Sequence, residues 1–245
     1  MTFQEQCDYF QHLDDWFSSP HGRIIAKVIE EELSHLKEIV YGNRLVQLGS
    51  CGTNPWLHEL PFPHQWIVKP TLLPTGTHCV SSLNALPIER DSIDCLIAPF
   101  TVDCFSSKES VIDEIDRVLK PMGYAIFLGI NPFSLWGLWL RFSNQNCYGH
   151  ATGFPKSLIA LKRMMAHRGY SHCYCNEFYF IPPVEQLSSI RALSFLNQVG
   201  KMVSPLPSAF YCLVMRKQVE NYIGPVLVQT KKEFIKNSPA YQPVC

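Results

Sequence analysis

The chain has 245 residues, 47 % of them hydrophobic and 17 % charged, with Lys+Arg and Asp+Glu equal at 21 each. That length buries a full core in one domain. The neutral balance speaks against a general nucleic-acid binder, whose phosphate contacts need a basic excess.

The opening stretch MTFQEQCDYFQHLDDW is acidic and has no apolar run, so no secretory signal is expected. Residues 8–18 read as a short helix stopped at Ser18-Ser19-Pro20. Ile24, Ile25, Val28, Ile29, Leu33, Leu36 and Val40 recur at helical spacing, and Gly42 is placed to end that second helix. A strand follows at Arg44–Leu48 and opens into Gly49-Ser50-Cys51-Gly52. Gln65–Val68 and His78–Ser81 are short strand candidates around a Pro- and Thr-rich stretch. Ile93–Ala98 is a near-continuous apolar run, as in a strand covered on both faces.

Ser106-x-x-Glu109 reads as a capping box, and Val111, Ile112, Ile115, Val118 and Leu119 give an amphipathic helix behind it. Lys120–Gly123 stops that helix, and Tyr124–Ile130 is a buried strand. Asn131, Pro132 and Gly137 interrupt residues 124–140, so no transmembrane segment is predicted. Pro155 suits the first turn of a helix running to His167. Strands are expected at Tyr170–Ile181 and Ser208–Arg216, with a helix over Glu185–Val199 between them. Residues 1–217 form the expected domain, with an N-terminal helical segment, and 218–245 a flexible tail. Alternating strands and helices predict an α/β fold with a doubly wound, mostly parallel sheet and an antiparallel edge.

Three stretches, in order and well spaced, resemble the signature of class I S-adenosylmethionine-dependent methyltransferases. They are RLVQLGSCGT; Ser82–Ile88 with Asp91-Ser92-Ile93-Asp94; and EIDRVLKPMGYAIFLG at Glu114–Gly129, the most specific of the three. WFSSPHGR and GINPFSLWG further resemble a small bacterial subgroup with degenerate cofactor motifs. The resemblance implies a seven-stranded Rossmann-like sheet and S-adenosylmethionine as cofactor. It places Gln47, Gly49, Ser50, Cys51, Gly52, Lys69, Ser82, Leu83, Ala98, Pro99 and Phe100 on the cofactor. It implies in-line methyl transfer to an unidentified small molecule or protein, with positioning as the main catalytic contribution.

The chain departs from the family pattern at Gln47, where an acid is usual. Lys69 stands where an acid normally accepts the ribose hydroxyls, and Ser82 where an Asp meets the adenine edge. No Asp or Glu occurs between Glu59 and Glu89. These departures carry an alternative: a catalytically degenerate protein of this fold acting as a binding or scaffold module.

No catalytic residue is identified; His21, His150, His167 and Tyr148 are conceivable bases. Trp16, His21 and Arg23 are candidates to close over the cofactor. Asn131-Pro132-Phe133-Ser134 reads as a loop whose Asn caps the next helix. Phe133–Phe142 is apolar nearly all round, which suits a packing helix, an apolar pocket or contact with a membrane surface. The ten cysteines point to reduced thiols and a cytoplasmic setting. The spacing around His172, Cys173 and Cys175 is wrong for zinc, and no metal is expected.

Overall fold

The computed structural model describes residues 2–71, 79–105, 109–142, 155–184, 187–202 and 207–218. The capping-box serine at 106, Tyr148, His150 and the tail from 219 lie outside the described residues.

Helix α1 (Phe3–Ser18) begins earlier than its periodicity suggests. The Thr2 hydroxyl accepts from the Glu5 amide while the Glu5 carboxylate accepts from the Thr2 amide, which satisfies two orphan donors reciprocally. Helix α2 (Pro20–Ser34) starts on the Ser19 hydroxyl, with Pro20 in its first turn, and passes into a 3-10 turn at His35–Glu38. Strand β1 (Arg44–Leu48) follows, then β2 (His64–Lys69), β3 (Cys79–Val80) and β4 (Ile93–Pro99). After a short α3 (Thr101–Cys104) come α4 (Glu109–Val118), β5 (Leu119–Ile130) and α5 (Leu135–Phe142). The chain continues through α6 (Leu158–Ala166), β6 (Tyr170–Phe178), α7 (Leu187–Ala192), α8 (Phe195–Met202) and β7 (Phe210–Lys217). The helix expected over 185–199 is therefore two short ones. The expected strand 170–181 ends at Phe178.

The seven strands form one sheet in the order β3-β2-β1-β4-β5-β7-β6. Only β7 runs antiparallel, to both β5 and β6. The order reverses direction between β1 and β4, which is where an open α/β sheet leaves a crevice beyond its carboxyl ends.

The EIDRVLKP corner is structural. The Glu114 carboxylate accepts from the Leu86 amide at 2.8 Å and pairs with Arg117 at 2.8 Å. The Arg117 guanidinium donates to the carbonyls of Leu86 and Ile88. This knot ties the Leu86–Ile88 loop to α4 and so fixes the entry to β4. A second knot joins the amino-terminal ends of β1, β4 and β5, where Asp94 accepts from the amides of Asn43 and Arg44 and pairs with Lys120 at 2.6 Å.

Candidate functional site

Beyond the carboxyl ends of β1, β2 and β4, in the crevice where the resemblance places a cofactor, lies α1. Gly49 and Gly52 take positive φ of 80° and 64°, which only glycine adopts without strain, so the turn after β1 bends back sharply. The bend exposes bare backbone, and the ring of Phe10 rests on it. A β-carbon on Gly49 would stand 2.6 Å from Cζ and 2.8 Å from Cδ1 of Phe10. Phe10 is fully buried there.

Lys69, at the end of β2, is also fully buried, and its ammonium pairs with Asp14 of α1 at 3.0 Å. The same carboxylate accepts from the Ser50 hydroxyl at 2.8 Å and from the Gly52 amide at 2.9 Å. A buried cation needs such a partner, because desolvation without one costs several kcal/mol. In the loop after β3, the Gln6 carboxamide accepts from the Leu83 amide at 3.0 Å and donates to the Ser82 hydroxyl at 3.2 Å. Beyond β4, the Tyr9 hydroxyl donates to the carbonyl of Phe100 at 2.8 Å. Phe100 itself turns the chain at a positive φ of 54°, next to buried Ala98 and Pro99.

Gln47 is satisfied internally as well. Its amide nitrogen donates to the Gly49 carbonyl at 3.0 Å and to Asn54 Oδ1 at 2.7 Å, and its oxygen accepts from Trp56 Nε1 at 2.9 Å. Asn54 Oδ1 also accepts from the amide of Cys51, a buried residue. The residues that the resemblance assigned to a cofactor thus sit on strand ends and following loops that converge on α1. Each loop they belong to is engaged by a side chain of α1.

An S-adenosylmethionine molecule does not fit this crevice as it stands. The space before Gly49 holds an aromatic ring, and the donors of Ser50, Gly52, Lys69 and Leu83 are already bonded to Asp14 and Gln6. Toward residues 131–136, where a methyl acceptor would be expected, the remaining cavity is about 10 Å³, lined by Leu13, Trp16, Phe17, Phe100, Ile130, Trp136 and Phe210. That is no larger than a single water, and its lining is apolar.

The N-terminal residues that do the closing are therefore Gln6, Tyr9, Phe10 and Asp14. Trp16 and His21 sit to one side, against Trp136 at 6.0 and 5.2 Å between ring centroids. Burial holds the His21 imidazole below its ordinary value, and its Nε2 lies 3.5 Å from the Tyr179 hydroxyl. His167 caps the end of α6, away from this group. Ser134 rather than Asn131 caps α5, since its hydroxyl accepts from the Gly137 amide. Asn131 instead turns back on the Phe133 amide. The only sequence signal for the closing set is the amphipathic pattern of α1, which buries Tyr9, Phe10, Leu13 and Phe17 on one face.

Strand order and crevice together define a class I methyltransferase fold. A family model described as "Methyltransferase domain" matches residues 58–127, which span β2 to β5 and leave out the glycine turn. By this match residues 58–127 resemble a methyltransferase domain, and the architecture of the chain is that of the S-adenosylmethionine-dependent methyltransferase fold. It resembles in fold a methyltransferase from Thermotoga maritima, named a possible histamine N-methyltransferase, with a TM-score of 0.61 at 17 % identity, over 89 % of this chain and 100 % of that one. A methyltransferase from Archaeoglobus fulgidus gives 0.55 at 16 %, over 85 % and 99 %. Among curated proteins, the uncharacterized YafS of Escherichia coli K12 is 26 % identical over 125 residues. That alignment covers about half the length of each chain, 51 % of both.

Proposed function

We propose that this chain is a methyltransferase-fold protein whose cofactor crevice has been rebuilt to hold its own helix α1, and that it works as a binding or scaffold module without methyl transfer. One observation carries the reading: the Phe10 ring occupies the space in front of Gly49. The departures from the family pattern support it, because each has an internal partner. Lys69 has Asp14, Ser82 has Gln6, and Gln47 has Trp56 and Asn54.

Energetics favour a fixed helix over a lid. Tyr9, Phe10, Leu13 and Phe17 are all buried. At roughly 1.5–3 kcal/mol for each such side chain, their burial holds α1 in place by on the order of 10 kcal/mol. Micromolar binding of a ligand releases about 8 kcal/mol. Undocking the helix would therefore consume about all of the binding free energy of such a ligand.

A second reading, S-adenosylmethionine-dependent transfer after withdrawal of α1, is favoured by the glycine turn, which keeps its positive-φ geometry at Gly49 and Gly52. Calorimetric titration of the full chain with S-adenosylmethionine and S-adenosylhomocysteine separates the two. No heat and no thermal shift at millimolar ligand is expected; saturable micromolar binding overturns the first reading in favour of the second.

A further inference from the structure

Helix α5 leaves much of its apolar surface uncovered. Phe133, just before it, is 73 % exposed, Leu135 is 53 % and Phe142 is 80 %. With Leu138, Trp139, Pro182 and Pro183, the helix borders a concavity of about 540 Å³. Helix α8 flanks the same segment. Trp136 Nε1 of α5 donates to the Ile181 carbonyl at 2.8 Å, and Asn197 of α8 accepts from the Phe180 amide at 2.8 Å. On α8, Phe195 and Val199, one turn apart, are also exposed. Two short helices, each hydrogen-bonded to the 180–181 segment before the double proline, thus carry exposed apolar side chains. An exposed surface of this kind marks an interaction site more often than chance packing.

Charge selects the occupant. Residues 1–116 hold 17 Asp and Glu against 7 Lys and Arg, whereas residues 117–218 hold 2 against 11. No acidic residue occurs between Asp116 and Glu177. Arg117, Lys120, Arg168 and Lys217 pair with acids of the first part. Arg141, at the end of α5, and Arg163 are exposed and have no ion-pair partner among the described residues. Leu, Phe and Trp beside an unpaired Arg, with no acidic residue on α5 or α8, is the composition of a segment lying at an anionic lipid boundary. A nucleic acid offers nothing to Leu135 and Leu138. A two-fold pairing of copies through this face brings the same cation to the interface twice.

We propose that α5, Pro182–Pro183 and α8 form a surface that seats on a bilayer containing anionic phospholipid, with the rings at the acyl boundary and Arg141 among the phosphates. This holds whatever fills the crevice, because the exposed residues Phe133, Leu135, Leu138, Phe142 and Arg141 do not line it.

The test is co-sedimentation of the full chain with vesicles of equal parts phosphatidylcholine and phosphatidylglycerol, and with phosphatidylcholine alone. Binding is expected on the mixed vesicles, weakening as salt screens the surface charge. Phe133→Ser and Phe142→Ser should each reduce partition by about tenfold or more. Arg141→Glu should reduce it on mixed vesicles and leave phosphatidylcholine unchanged. Circular dichroism should show all three variants folded, since the residues are exposed. No sedimentation of the parent chain, or equal sedimentation of the variants, overturns the proposal. So does a concentration-dependent dimer that the Phe variants abolish, because a second copy would then cover the face.

Discussion

Lys69 Nζ and Asp14 Oδ2 lie 3.0 Å apart, the lysine side chain wholly removed from solvent, and this pair fastens helix α1 to the end of β2. The partner of a lysine that replaces a family acid comes from 55 residues upstream. Asp14→Ala strands the cation and should destabilise the protein by about 3–5 kcal/mol in a denaturant titration. Asp14→Ala/Lys69→Met removes both charges and should recover part of that loss. The Gly52 amide still lacks its acceptor in the double variant, which leaves a deficit of about 1–3 kcal/mol. Equal stability of the single and double variants would show that the charge pair does not hold the helix.

The contact of Phe10 with Gly49 predicts a coupling. Gly49→Ala places a side chain at a φ of 80° and into the Phe10 ring. The backbone conformation costs about 1–2 kcal/mol, and the overlap about 1–3 kcal/mol more. In a Phe10→Leu background the second part should shrink, so the two substitutions should be less than additive. Strict additivity in denaturation midpoints would place Phe10 elsewhere.

Restoring the family's acid at Gln47 should harm rather than help. Gln47 donates to two acceptors, the Gly49 carbonyl and Asn54 Oδ1. The carboxylate of Gln47→Glu would face both with no hydrogen to give, at a cost of about 2 kcal/mol or more at pH 7. Protonation would restore one donor, so the deficit should narrow toward pH 4. A variant as stable as the parent at pH 7 would contradict the network.

The fold was legible because its signals are local. The apolar run at 93–98 and the amphipathic helix before Lys120 need no tertiary knowledge, and the RVLKP corner fixes how they join. β5 extends back to Leu119 and α1 to Phe3 because a bulge and a capping box, both short-range devices, add residues that periodicity does not mark. The strand ends and loops that meet α1 are those the motif order marks for a cofactor. What fills the crevice was not legible. Gln6, Phe10 and Asp14 read as ordinary members of an amphipathic helix, and nothing in their spacing says which loop they meet. Lys69, Ser82 and Gln47 read as losses in sequence; in the fold each is one half of a pair whose other half is distant or on a turn.

Acid should loosen the 86–88 loop. The hydrogen bond from Arg117 lowers the Glu114 carboxyl from its ordinary 4.5, against a smaller upward push from burial, and the Leu86 amide lowers it further. A carboxyl with a depressed folded value contributes stability that is present above the unfolded value and lost as pH falls through the folded one. Stability should therefore decline below about pH 4.5. Glu114→Gln should flatten that decline while lowering stability at pH 7. An unchanged acid limb in thermal melts would remove Glu114 from the account.

Native-state hydrogen exchange of the α1 amides, with and without S-adenosylhomocysteine, tests most directly whether the helix is a fixed occupant of the crevice. Amides from Tyr9 to Phe17 should exchange only through global unfolding, as slowly as those of β4 and β5, and millimolar ligand should leave their rates unchanged. Faster exchange of α1 alone, accelerated further when ligand is added, would show a lid that gives way to a cofactor and would contradict the reading.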